Sequence, residues 1–313
     1  MEEEHPGTPQ EQWTVAKEKI EQTTTKLKNR KSAGEDEISN ELLKYGGEEL
    51  SKELHAFFNK ITKTKKVPTE WKESITIPIL KKGSRKDPAN YRGITLLSSI
   101  LKLFTKILSD EIHARGMCEE QQGFRKNRST IDAIFTIRQI AEKSIEYNKI
   151  AYMCFVDLTK AFDRVRLPDV VRLLKKKNVH PDLIKIIVEL NTDNMTQIQI
   201  EGRKTRKIPM QTGIRQGDSL SPILFNLIME EIISEVKTIG KGYRLGDKEI
   251  KIICYADDAV LISEDEDNLQ RMLFKLENTA SKYNMKISVA KSKSLTISKE
   301  PRRCKLAIYN EPK

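Results

Sequence analysis

Residues 250–262 read IKIICYADDAVLI, and this stretch decides the fold. Ile250 to Tyr255 and Ala259 to Ile262 are apolar runs of strand length, joined through a carboxylate turn at Ala256-Asp257-Asp258. Asp tolerates the backbone of a tight turn. An acid flanked on both sides by apolar strand is nevertheless costly unless a cation meets it. Asp157 has the same setting, because it follows Tyr152-Met153-Cys154-Phe155-Val156, a short apolar run that predicts a strand buried on both faces. Two carboxylates about 4 Å apart repel by roughly 4 kcal/mol at an effective dielectric of about 20, and a divalent ion removes that penalty. Oxygen-only donors suit Mg2+ or Mn2+, and one or two carboxylates plus substrate phosphates is the usual magnesium arrangement. Adjacent strand side chains face opposite ways. Asp257 is therefore expected as the primary metal ligand beside Asp157, with Asp258 an accessory ligand or simply a turn residue. The chemistry that fits is phosphoryl transfer with two metal ions. Taken alone, the constellation leaves open a reading as unrelated turn acids.

Working outward, Ala151 onward predicts the order β-α-β-α-ββ-α-β and an α+β, palm-like domain. Pro168 opens a helix where a missing N–H costs little. Gln197–Ile200 and Lys207–Met210 form a hairpin turning at Gly202. Ser221-Pro222 begins a helix striped by Ile223, Leu224, Leu227, Ile228 and Ile232. Asp267–Tyr283 is a further helix and Leu295–Ile297 a last strand. Upstream, residues 1–10 read as a tail, Glu11–Arg30 as a polar helix, and Lys31–Gly47 as a loop passing into a helix. Helical spacing recurs over Leu50–Lys63, Leu96–Ile112 and Ile131–Tyr147, and Ser74–Leu80 reads as a strand. A loop of twelve residues, five of them cationic, follows that strand. The expected organisation is a tail and helix (1–30), a first lobe (31–150), a palm-like lobe (151–300) and a C-terminal tail (301–313).

The 56 Lys and Arg against 45 Asp and Glu give a net charge of +11, which suits a polyanionic partner or a solvated lysine-rich surface. No apolar run reaches membrane-spanning length, and the acidic N-terminus lacks the apolar core of a secretory signal. Cys118, Cys154, Cys254 and Cys304 lack metal-binding spacing. Cys154 and Cys254 sit in apolar runs and are expected to be reduced core residues of an intracellular protein.

Three segments then carry a resemblance. Phe155-Val156-Asp157-Leu158-Thr159-Lys160-Ala161-Phe162-Asp163, Gln216-Gly217-Asp218-Ser219-Leu220-Ser221-Pro222 and Tyr255-Ala256-Asp257-Asp258 resemble, in order and spacing, the three palm motifs of reverse transcriptases of the non-LTR (LINE-like) retrotransposon branch. The match runs from about Lys31 to Ser298. It implies a right-hand polymerase with fingers and palm, the palm an antiparallel sheet backed by helices. It implies an RNA template, a DNA primer, dNTP substrates and two Mg2+ ions, for which Mn2+ can substitute. The catalytic set it implies is Asp157, Asp257, Asp258 and Lys291, with Lys291, in Val289-Ala290-Lys291-Ser292, protonating the leaving pyrophosphate; a surface lysine is the alternative. Phe162, five residues after Asp157, falls where the family's gate against ribonucleotides lies, a core phenylalanine being the alternative. Gln216 and Gly217 would lie against the templating base pair. Arg92, in Pro88-Ala89-Asn90-Tyr91-Arg92-Gly93-Ile94, would grip the triphosphate, with Lys81 and Lys82 nearby. Gln122-Gly123-Phe124-Arg125 and Ser129-Thr130 resemble a segment that touches the template strand. The resemblance implies nuclear action. Two departures stand out. Lys31–Ile38 resembles a segment that usually has Pro and Gly where Glu35 and Glu37 stand, and the Lys291 segment lacks the usual flanking Asn and Thr. With no thumb expected after Lys291, a non-catalytic nucleic-acid-binding remnant is the competing expectation. A group II intron-type maturase is a third; it would need a splicing region beyond Lys313.

Overall fold

Apolar periodicity sets the elements of the computed structural model, which describes residues 11–159, 161–210, 213–215, 217–300 and 302–308. The chain opens with helices α1 (Lys17–Thr25), α2 (Asn40–Tyr45) and α3 (Gly47–Thr64), strands β1 (Glu73–Leu80) and β2 (Tyr91–Leu96), and helices α4 (Ser99–His113) and α5 (Thr130–Glu146). Strand β3 (Ala151–Thr159), helices α6 (Leu167–Lys176) and α7 (Pro181–Leu190), and strands β4 (Met195–Ile200), β5 (Arg203–Lys204) and β6 (Ile208–Pro209) follow. Then come α8 (Ser221–Lys237), β7 (Tyr243–Leu245), β8 (Lys248–Ile250), β9 (Ile252–Tyr255), β10 (Asp258–Ser263), α9 (Glu266–Lys282), β11 (Lys286–Ile287) and β12 (Lys293–Ile297). Among the described residues no helix is long and apolar enough to cross a membrane.

Two compact units form. The described residues of the first fall within Met1–Arg115, Leu174–Gln211 and Arg215–Ser221. Its sheet runs β2-β1-β4-β5, with β6 also on β4; β1 pairs antiparallel with β2 and parallel with β4. Helix α3 buries Leu54, Phe58 and Ile61, and ends where Lys65 turns left-handed (φ 56°) and returns its N–H to Ile61. The Phe58 ring packs 4.9 Å from Phe104, and Trp71 lies 5.7 Å from Phe104. Burying each such ring stabilises the unit by about 1.5–3 kcal/mol. Arg215 is also sealed in this unit. Its guanidinium donates to the carbonyls of Trp71 (2.6 Å) and Leu190 (3.0 Å), and burial lowers its pKa, with Asp218 opposing that shift.

Lys31–Ile38 contains a tight turn closed by Glu37 N–H on the Gly34 carbonyl at 3.2 Å. Glu37 has a left-handed backbone (φ 56°). Glu35 pairs with Lys204 at 2.5 Å in the same unit. The segment's departure in sequence thus has a structural counterpart: a glutamate occupies a conformation that glycine adopts freely.

The second unit falls within Gly116–Leu173, Thr212–Ile214 and Pro222–Lys313. Its sheet is antiparallel throughout. Strand β3 is central, with β10 and then β9 on one side and β11 and β12 on the other. Met153, Ile253 and Ile262 join Ile140 of α5 and Tyr243 in a core beneath one face. Ser144 donates to the Tyr243 hydroxyl at 3.0 Å, so the buried phenol is partnered. Helix α9 packs on β10 and β3 with Leu269, Met272, Leu273 and Leu276 buried. The antiparallel sheet backed by helices matches the α+β palm expected from sequence.

Candidate active site

Strand register builds the site within the second unit. Asp157 lies directly across from Asp258 in the β3–β10 ladder, and opposed residues of an antiparallel pair share a face. The neighbouring pairs Phe155–Val260 and Met153–Ile262 run back along that face into the core. The two acids therefore stand where the apolar face ends. Asp258 also pairs with Tyr255, so the hairpin turn consists of Ala256 and Asp257 alone. Ala256 carries the positive φ (57°) that such a turn needs. Strand alternation ranks Asp257 ahead of Asp258 only if both lie on a strand. In the fold Asp258 is the cross-strand partner of Asp157, and Asp257 sits in the turn, where its direction is set by Ala256 rather than by the pleat.

The electrostatics follow. Asp258 stays exposed, yet partial burial at its base, then the charges of Asp257 and Asp157, raise its pKa above the ordinary 3.8, with Lys291 opposing. Lys291 Nζ lies 3.2 Å from one Asp157 carboxylate oxygen and 3.4 Å from the other. The β12 register explains the contact: Lys293 opposes Phe155, so a side chain two residues earlier extends the same face toward Asp157. The loop is tied down by Ser288 N–H to the Asp157 carbonyl (2.8 Å) and by Asp157 N–H to Ser292 Oγ (3.3 Å). An exposed pair of this kind contributes about 1 kcal/mol or less.

Asp157, Asp257 and Asp258, expected together as metal ligands, do not form a closed cage. Among the described residues no three His, Cys, Asp or Glu side chains come close enough to hold an ion. The donor set still fits a divalent ion of the magnesium kind. It is all oxygen, the charges of Asp257 and Asp157 help to raise the pKa of Asp258, and a cationic side chain is already drawn to it. An open site of one or two carboxylates completed by substrate phosphates has this form.

Phe162 follows β3 in a short 3-10 turn. Its ring stacks on Phe225 of α8 at 4.3 Å and meets Phe124 edge-on at 6.0 Å. It is half-buried and held in place by these two rings. Gly123 packs beneath the 256 turn. Arg125 spends its guanidinium on the Cys118 and Gln121 carbonyls and on Glu119, and Ser129 bonds to Asp132 at the start of α5.

Other expected residues belong to the first unit. Arg92 opposes Ile79 on the β1–β2 hairpin and is exposed, as are Lys81 and Lys82 just past β1. Gly217 has φ 110°, and a Cβ there would lie 2.6 Å from the Thr95 carbonyl oxygen, so a close backbone approach requires glycine at this position. Gln216 lies outside the described residues. Sequence reasoning missed two buried carboxamides in the second unit, Gln121 and Asn226. Gln121 sits in a polar-looking run, and only the fold brings it to the 256 turn.

A central strand carrying an acid near its end, beside a hairpin whose turn carries another, is the working face of a right-hand polymerase palm. The solved structures agree on the fold: apo telomerase of Candida tropicalis, truncated from its C-terminal domain, superposes with a TM-score of 0.52 at 16% identity, covering 77% of this chain and 55% of that one. The chain belongs to the reverse transcriptase (RNA-dependent DNA polymerase) family, whose model matches residues 79–306. Its relatives include proteins of non-LTR retrotransposons. It is 29% identical over 234 residues to the Pol polyprotein of the type-1 retrotransposable element R2 of Popillia japonica, covering 74% of this chain and 33% of that protein. It is 27% identical over 303 residues to the RNA-directed DNA polymerase of the mobile element jockey of Drosophila funebris, covering 93% of this chain and 32% of that protein. The chain thus spans about a third of the length of these curated relatives. Reverse transcriptases use divalent metal ions.

Proposed function

We propose that this domain is an RNA-directed DNA polymerase that adds deoxynucleotides from dNTPs to the 3′-hydroxyl of a DNA primer on an RNA template. One observation carries this reading: Asp157 and Asp258 share a face across the β3–β10 ladder, with Asp257 in the adjoining turn, so acids from two distant stretches of chain stand together at the open end of the palm sheet. Asp157 and Asp257 would hold Mg2+, for which Mn2+ can substitute, with Asp258 an accessory. The ions would make the primer hydroxyl more acidic and offset charge on the leaving pyrophosphate. Lys291, already beside Asp157, would give its proton to the pyrophosphate. Phe162, held between Phe124 and Phe225, would exclude a ribose 2′-hydroxyl. Arg92, with Lys81 and Lys82, would bind the triphosphate, and Gln216 and Gly217 would lie along the templating base. Phe124 and the α5 entrance would meet the template, and the net charge of +11 favours nucleic acid over any neutral partner. Nuclear action follows from this reading. The test is extension of an oligo-dT primer on poly-rA in Mg2+, wild type beside Asp157→Ala. Extension by the wild type and none by the variant is the expected result. Salt-sensitive RNA binding with no extension, in Mg2+ or Mn2+, would overturn the reading in favour of a binding remnant.

A further inference from the structure

The turn that carries Asp257 is gripped by a side chain from far upstream. Residues 120–122 run beside β9, with Cys254 N–H on the Glu120 carbonyl and Gln122 N–H on the Cys254 carbonyl, both at 2.8 Å. This alignment seats Gln121, which is fully buried, against Ala256. Its Nε2 donates to the Ala256 carbonyl at 3.0 Å, and its Oε1 accepts from Ala256 N–H at 2.9 Å and from Gly123 N–H at 2.9 Å. One carboxamide therefore satisfies both backbone groups of the residue preceding Asp257. That residue is an alanine held at φ 57°, a conformation unfavourable without a compensating contact. Gly123 closes the grip from below, since a Cβ there would lie 2.2 Å from Ala256 N. Asn226 of α8, itself fully buried, donates to the Gly123 carbonyl at 3.0 Å and ties the clamp to the helix after the second palm motif.

We propose that Gln121 is a positioning residue for catalysis: its carboxamide holds the Ala256-Asp257 turn in the conformation that aims Asp257 beside Asp157. The inference rests on the polymerase reading above. A hairpin needs only its ladder bonds to exist, whereas the direction of a turn side chain depends on the backbone angles before it, and these are what Gln121 fixes. Misplacing a reacting group by about 1 Å costs on the order of 100-fold in rate. Gln121→Met keeps the length and removes all three hydrogen bonds.

The experiment compares wild type, Gln121→Met and the double variant Gln121→Met/Ala256→Gly in full-length chain, reading kcat, KM for dTTP, the Mg2+ concentration at half-maximal rate, and thermal unfolding. The expected result is a fall in kcat of roughly 10- to 100-fold and a higher half-saturating Mg2+ concentration, with KM for dTTP little changed. The folded fraction should be the same as for wild type. Glycine at 256 adopts the left-handed angle freely, so the double variant should regain part of the loss. A kcat per folded molecule and a Mg2+ dependence equal to wild type would overturn the proposal. If Gln121→Met does not fold, Gln121→Glu decides. A neutral carboxylic acid can reproduce the donor–acceptor pair and a carboxylate cannot, so its activity relative to wild type should fall as pH rises; a flat ratio would refute the assignment. Failure of Asp157→Ala to abolish extension would sink the polymerase reading itself. A dead Asp157→Ala beside a normal Gln121→Met would sink this inference alone.

Discussion

Replacing Glu37 by glycine should stabilise the first unit. Glu37 closes the Gly34–Glu37 turn with φ 56° and has an exposed side chain. A non-glycine residue in this region costs roughly 1–2 kcal/mol. Glycine removes that penalty, but it also makes the unfolded chain freer by about 0.4–1 kcal/mol. The net expectation is a gain of about 0.5–1 kcal/mol, with the 3.2 Å turn hydrogen bond and the Glu35–Lys204 pair intact. For a chain of this size that shifts Tm by roughly 1–1.5 °C. Urea unfolding followed by circular dichroism gives the direct reading, because a stability change with no change in compactness moves the midpoint at constant slope. An unchanged or lowered midpoint for Glu37→Gly would refute the strain argument. It would also mean that the departure from the family's usual glycine is conformationally neutral.

Two further outcomes follow from the site. Phe162→Ala should admit ribonucleotides, seen as a fall in the ratio of kcat/KM for dTTP over UTP; an unchanged ratio would show that the ring stacked on Phe225 is only a packing residue. Asp258 has a folded-state pKa above its unfolded value, so its contribution to stability is present below about 3.8 and is lost as pH rises through the folded value. Asp258→Asn should therefore raise the Tm of metal-free protein at neutral pH, with the difference from wild type vanishing in acid. A constant difference at both pH values would contradict this.

Much of the palm was legible because burial leaves a plain trace in sequence. Strand β3 and the β9–β10 pair are continuous apolar runs, and each helix from α3 to α9 carries a periodic stripe. Helix α7 goes unassigned from sequence, although Pro181 at its start and Leu183, Ile184, Ile187 and Leu190 give the same signal. Strand β2 looks like loop because Arg92 and Ile94 are exposed and Gly93 interrupts the run, and only pairing with β1 makes it a strand. Strands β5, β6 and β11 have two residues each, too short for any period. At the site, the identity of the acids was readable but their geometry was not. Which residue opposes Asp157 depends on where the turn falls, and the turn is set by contacts of Gln121 and Gly123 that no local pattern announces. Glu37 was marked by its departure from a familiar pattern, and its backbone angle supplies the physical reason.

The central claim is that acids brought together by β3 and the 256 turn bind divalent ions. Anomalous diffraction from crystals grown with Mn2+, primer–template and a non-hydrolysable dNTP tests it most directly. The account predicts manganese about 2 Å from a carboxylate oxygen of Asp157 and from one of Asp257 or Asp258, with Lys291 moved off Asp157. Manganese bound elsewhere, or none at all with the Lys291–Asp157 pair intact, would contradict it.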